Sequence, residues 1–114
     1  MATTLYGISY DATDAARTAS FWADVLGRTV NPGASAESAS IAPNDDPAAG
    51  PTLMFHRVPE AKSVKNRVHF DLITTEFESE LTRILNLGAQ VRAEFDSWTT
   101  LADPEGNEFD LIRG

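Results

Sequence analysis

Two histidines, seventeen acidic side chains and no cysteine define the chemistry open to this chain of 114 residues. Without cysteine there is no disulfide framework, no thiolate nucleophile and no cysteine zinc site. Imidazole and carboxylate remain. His56 lies in the apolar run 52–58, His69 in the alternating run 67–73 and Asp110 in the run 108–112. Successive side chains of a strand point to opposite faces. If Leu53 and Phe55 pack inward, Met54 and His56 face away. By the same alternation Val68, Phe70 and Leu72 oppose Arg67, His69, Asp71 and Ile73, while Phe109 and Leu111 oppose Glu108, Asp110 and Ile112. His56, His69 and Asp110 are therefore candidates to share a cleft. Two imidazoles and a carboxylate suit one divalent ion such as Zn, Fe(II), Mn, Ni or Co. Asp71 and Glu108 are candidate proton acceptors. Asp11, Met54 and Trp98 are candidate substrate contacts. Each residue also has a plainer role: a histidine satisfied in the core or at the surface, Asp11 capping a helix, Asp71 bonding a turn, Asp110 solvated on a strand, Trp98 packed.

The elements that would position these groups occur in two copies. Residues 5–10 read as a strand. Asp11 to Asp14 form a polar turn, and Ala15, Ala19, Trp22, Ala23 and Leu26 then recur at helical spacing until Gly27. Arg28 to Val30 lead toward a strand, 31–39 is a loop, and 38–42 is a further short edge strand. Residues 43–51 hold three prolines, Asp45-Asp46 and a glycine and read as a turn. The order repeats after a polar linker at 59–66. The strand at 67–73 leads to Thr75-x-x-Glu78, which has the form of a capping box. Phe77, Leu81, Ile84 and Leu85 make a helical stripe ending at Gly88. Strands follow at 90–94, 98–102 and 108–112, the last two joined by the turn Asp103-Pro104-Glu105-Gly106-Asn107. The reading is strand, helix, three strands, twice: an α+β chain with one module at about 1–58 and another at about 67–114, within a single domain. Each sheet has one helix for one face, so the other face must meet a second module, a partner chain or a ligand.

With 42% hydrophobic residues the chain can bury a core, and its net charge of −8 argues against nucleic acid as a partner. No leader is visible at the N-terminus, and no run approaches the roughly 20 apolar residues of a membrane span. The expectation is a cytoplasmic protein with no membrane partner. Gly-rich phosphate loops, nucleophile elbows and His-Glu-x-x-His helices are absent from the sequence.

The paired modules, Phe21-Trp22-Ala23-Asp24-Val25-Leu26-Gly27, Asn66-Arg67-Val68-His69-Phe70-Asp71-Leu72 and Asp103-Pro104-Glu105-Gly106-Asn107-Glu108-Phe109 together resemble the vicinal oxygen chelate superfamily. That group holds glyoxalase I, extradiol dioxygenases, fosfomycin-resistance enzymes and bleomycin-binding proteins, and the nearest likeness is to its small bacterial glyoxalase-like branch. The resemblance covers nearly the whole chain. It implies two βαβββ modules whose sheets curl around a cleft, a homodimer, and one metal ligand from each of four strands. Carried over by position, those ligands fall at Gly7, at or near His56, at His69 and at Asp110. Glycine supplies no ligand, and Asp110 stands where glutamate is usual. The resemblance thus implies either a metal-dependent isomerase, lyase or dioxygenase acting on a small oxygenated molecule, or a metal-free protein that binds a drug or metabolite without turnover.

Overall fold

The computed structural model describes residues 2–43 and 50–114. Most of the stretch read as a proline-rich turn, including Asp45 and Asp46, lies outside the described residues. Among the described residues nine elements alternate as an α+β chain: β1 (Gly7–Ala12), α1 (Ala15–Leu26), β2 (Ser38–Ile41), β3 (Thr52–Arg57), β4 (Phe70–Thr74), α2 (Phe77–Asn86), β5 (Gln90–Glu94), β6 (Trp98–Ala102) and β7 (Glu108–Arg113). They fall into two compact units, residues 1–61 and 62–114.

In the first unit the sheet order is β1-β3-β2. β1 and β3 are parallel, and α1 lies in the crossover such a pair needs. Tyr10, Phe55 and Ala39 stand side by side on one face, as do Ile8, Leu53 and Ile41. That face meets α1, where Trp22 is buried and stacks edge-on against Tyr10 and Phe21. Asp14 caps α1, its side chain accepting from the Arg17 amide at 3.1 Å. Gly27 closes the helix at φ 65°, a left-handed conformation that glycine adopts without a Cβ penalty. The strand anticipated after the helix is reduced to one bridge, Val30 to Ile41.

The second unit repeats the plan in full, with order β4-β7-β6-β5. Phe70, Phe109 and Leu101 form one buried-side row and Leu72, Leu111 and Thr99 the next. α2 packs on β7, where Phe109 and Leu111 are buried. The turn before β7 is built by Asp103, whose carboxylate accepts from the amides of Glu105 and Asn107 at 2.9 and 3.0 Å.

Three sequence expectations are corrected. The opening strand of the first unit starts at Gly7 rather than Leu5, leaving Leu5 and Tyr6 exposed. The second opening strand starts at Phe70, so His69 precedes it and Val68 is 80% exposed. For β4 the reason is a contact distant in sequence: the Asn66 amide donates to the Glu108 side chain at 3.0 Å, so the chain is held there by a side chain and not by a strand ladder. The capping box does not form either. Glu76 occupies the N-cap with no side-chain cap bond, and Glu78 pairs with Arg113 at 3.0 Å. Two paired substitutions test this difference between the helix starts. Asp14→Ala should lower stability by about 1 kcal/mol in urea unfolding, and Thr75→Ala by well under half of that.

Candidate functional site

The helix-side rows leave the opposite face of each sheet to the polar residues. In the second unit the register aligns Asp71, Asp110 and Thr100 across β4, β7 and β6. His69, just ahead of β4, adds its ring to this row. His69 Nδ1 lies 3.1 Å from Asp71 Oδ1 and 3.8 Å from Asp110 Oδ2. Among the described residues these three form the one group of histidine and carboxylate side chains whose donor atoms all lie within 4.8 Å of one another. Thr100 Oγ1 donates to Asp110 Oδ1 at 2.6 Å, which orients that carboxylate and leaves Oδ2 toward His69. One imidazole and two carboxylates are a donor set that divalent first-row ions accept. Two carboxylates on one patch also favour a bound cation, which relieves their mutual repulsion.

Glu108, on the same face of β7, has other partners. Its two oxygens take Lys62 Nζ at 2.8 Å and the Asn66 amide at 3.0 Å. Lys62 Nζ also donates to the Val64 carbonyl. Partial burial pushes the Glu108 carboxyl up, but the hydrogen bonds from Lys62 and Asn66 and the ammonium charge outweigh it and hold the group down at about 2. So weak a base is poorly matched to proton abstraction near neutral pH. Its evident work is to fasten residues 62–66 to β7.

One row further along, the same face turns apolar. Ile73, Ile112 and Trp98 are aligned across β4, β7 and β6. Phe95 stacks on Trp98 with ring centroids 4.4 Å apart.

The first unit carries the equivalent face with different chemistry. Ser9, Met54 and Ser40 share one row, and Asp11, His56 and Ser38 the next. Both parallel ladders end two residues before the residue that precedes their helix. Aligned on their last pairs, Ala12 with Arg57 and Thr74 with Arg113, Gly7 matches His69, Ser9 matches Asp71 and Met54 matches Asp110. His56 then matches Ile112, one row along. At Gly7 a Cβ would fall 2.8 Å from Met54 Cε and 2.9 Å from the Thr52 carbonyl oxygen. The methionine methyl therefore fills the space that a side chain at the His69-equivalent position would need. Met54 and His56 line a cleft of about 220 Å³ with Ser38, Ser40 and residues 31–34, whose start is anchored by the Asn31 side chain donating to Ser40 Oγ at 2.9 Å.

Of the residues singled out from sequence, His69, Asp71 and Asp110 are brought together within the second unit, Trp98 joins the apolar row beside them, and Asp11, Met54 and His56 share the open face of the first. Thr100, Phe95, Ile73 and Lys62 were not singled out. The alternation of β6 carried a signal for Thr100, which has the same parity as Trp98. Lys62 had none, because its partner is 46 residues away.

The model of the glyoxalase-like domain family matches residues 7–112, and the chain belongs to that family, within the vicinal oxygen chelate superfamily. No curated protein sequence matches it. Many solved structures share the fold, among them the following three. A fosfomycin resistance protein, FosX, from Listeria monocytogenes, in complex with Mn(II) and a dihydroxypropylphosphonic acid, superposes with TM-score 0.77 at 16% identity, covering 100% of this chain and 92% of that one. A glyoxalase-related enzyme from Fulvimarina pelagi gives 0.72 at 16%, covering 97% and 88%. The oxidase ChaP-H2 gives 0.70 at 19%, covering 100% and 95%. At these identities the likeness concerns the fold. No helix among the described residues is long and apolar enough to cross a membrane.

The Glu108 anchor has a pH signature. Its folded-state value of about 2 lies below the 4.5 of the free group, so its stabilisation is complete above about pH 4.5 and fades as pH falls toward 2. In urea melts across that window, Glu108→Gln should be less stable than the parent by about 2 kcal/mol at pH 6, and the gap should close toward pH 2. A gap independent of pH would contradict the anchor.

Proposed function

We propose that this glyoxalase-like chain binds a divalent metal ion at His69, Asp71 and Asp110 and uses it on a small oxygenated molecule, in a reaction of the isomerase, lyase or dioxygenase kind. The observation that carries this reading is the convergence of those three side chains on one open sheet face, with Asp110 held by Thr100. Lewis-acid polarisation of a substrate oxygen is the chemistry such an ion supplies. The protein's own residues have separable parts. Asp71, the more exposed carboxylate, and Asp110 supply negative charge to the patch. The short bond from Thr100 keeps Asp110 in one orientation. Glu108, bound to Lys62 and Asn66, holds the neighbouring backbone instead of carrying protons. The FosX neighbour, which binds Mn(II), lends support at the level of fold.

A second reading, metal-free binding of a small molecule or drug, is favoured by a specific feature. Gly7 and Met54, which match His69 and Asp110, offer no side-chain nitrogen or oxygen. His69 also already has Asp71 as a partner at 3.1 Å.

Calorimetric titration of the untagged protein with Mn(II) and Ni(II) separates the two. About one ion per chain is expected, with binding abolished in His69→Ala and Asp110→Asn. Thr100→Val, which removes only the orienting bond, should weaken binding about tenfold or more. No binding by the parent, or binding indifferent to His69→Ala, would sink the metal reading and leave the binding-protein one.

A further inference from the structure

His69 reaches the polar cluster from outside the sheet. β4 begins at Phe70, paired with Phe109, and ahead of it the backbone bends at residues 67–68 and leaves Val68 exposed. Segments with so little buried apolar surface open locally at low cost. One carboxylate holds this one. Glu108, the first residue of β7, accepts from Lys62 Nζ at 2.8 Å with one oxygen and from the Asn66 amide at 3.0 Å with the other. Lys62 Nζ also donates to the Val64 carbonyl, which folds residues 62–66 into a hook closed on Glu108. The Lys62 and Glu108 side chains are each 18% exposed, so the hook is partly shielded from water and salt. Extended back by one residue, the register of β4 and β7 would set His69 opposite Glu108. The imidazole nevertheless turns to Asp71 and Asp110. Each Glu108 oxygen already holds a donor, so Glu108 does not compete for the ring.

We propose that Glu108 is a positioning residue for His69: by capturing the Asn66 amide it holds the bent segment 66–69 along β7 and so sets the imidazole beside Asp71 and Asp110, while Lys62 keeps the carboxylate in that pose. This rests on the functional reading above for the cluster as the site. It adds that the site is assembled by two residues, Glu108 and Lys62, that act through the backbone and not on the ligand. The effect is large for a small displacement. Side chains that bind or react must be held to within about 0.5 Å, and losing a partner that orients a metal ligand typically weakens ion binding 10- to 100-fold. His69 is the member of the cluster that needs such help, because Asp71 and Asp110 are paired in register within the ladder itself.

The test compares Glu108→Ala with Glu108→Gln in the whole protein. Both delete the same negative charge and both lose the ion pair with Lys62. Only glutamine keeps a side-chain oxygen that can accept from the Asn66 amide. Mn(II) affinity by calorimetry should fall about tenfold or more in Glu108→Ala and less than about threefold in Glu108→Gln. A second readout needs no metal: long-range 15N correlation spectra of the His69 ring in alkaline buffer. Carboxylate oxygens 3.1 and 3.8 Å from Nδ1 repel a lone pair there, so the parent and Glu108→Gln should show the Nδ1–H tautomer. In Glu108→Ala the released ring should revert to the Nε2–H form that free histidine favours. Glu78→Ala, which removes the Arg113 pair elsewhere in the unit, should change neither readout and so controls for a general loss of stability. Equal losses in Glu108→Ala and Glu108→Gln would reveal a charge effect and overturn the proposal. So would an Nδ1–H tautomer that survives in Glu108→Ala. If the parent binds no Mn(II), the metal reading fails by itself, and the tautomer comparison still decides whether Glu108 sets His69.

Discussion

Burial of Phe109 and Leu111 beneath α2 is the constraint on which the rest of the second unit depends. Both are almost inaccessible to solvent. A slip of one residue in β7 would move its whole apolar set to the open face, at a cost of about 1.5–3 kcal/mol for each large side chain left exposed. The register is therefore tightly held, and with it everything on the far side of the sheet. Asp110 faces away from α2 because Phe109 and Leu111 face toward it. Asp71 stands beside Asp110, and Thr100 on the other side, because Leu72 and Leu111 must align below them. The geometry of the polar cluster is thus set by apolar packing on the face that never meets it.

The same scaffold in the first unit carries a different inventory. Tyr10, Phe55 and Trp22 fill the helix side, and the register that follows places Gly7, Ser9 and Met54 where the second unit has His69, Asp71 and Asp110. The Met54 methyl sits against Gly7 so closely that a Cβ would collide with it. Two copies of one architecture have diverged into a polar cluster in one and an apolar plug in the other. A fold alone can host unrelated activities, so the chemistry has to be read from such differences in side chains.

Much of this was legible along the chain. The duplicated strand–helix order, the Asp103 to Asn107 turn, the helix ends at Gly27 and Gly88 and the open-face placement of Met54, His56, Asp71, Glu108 and Asp110 all follow from local periodicity. Other features were not. Thr75 and Glu78 have the spacing of a capping box, yet Arg113, distant in sequence, takes Glu78 as its partner. Residues 67–69 alternate as a strand should, yet the Asn66 amide is captured by Glu108 and pairing begins at Phe70. Glu108 looks like a candidate base until Lys62, 46 residues away, is found on it.

What the sequence by itself determined is the order of the elements and which face of an element each side chain takes, because periods of two and of about 3.6 are properties of neighbouring residues. What only the tertiary structure decided is which residue of one strand stands opposite which residue of another. That alignment joins Asp71 to Asp110 and Thr100 and gives Met54, not His56, the position matching Asp110. In the parallel pairs these offsets arise from ladder bonds and from packing beneath a helix, between residues 39 to 45 apart. No local pattern encodes them.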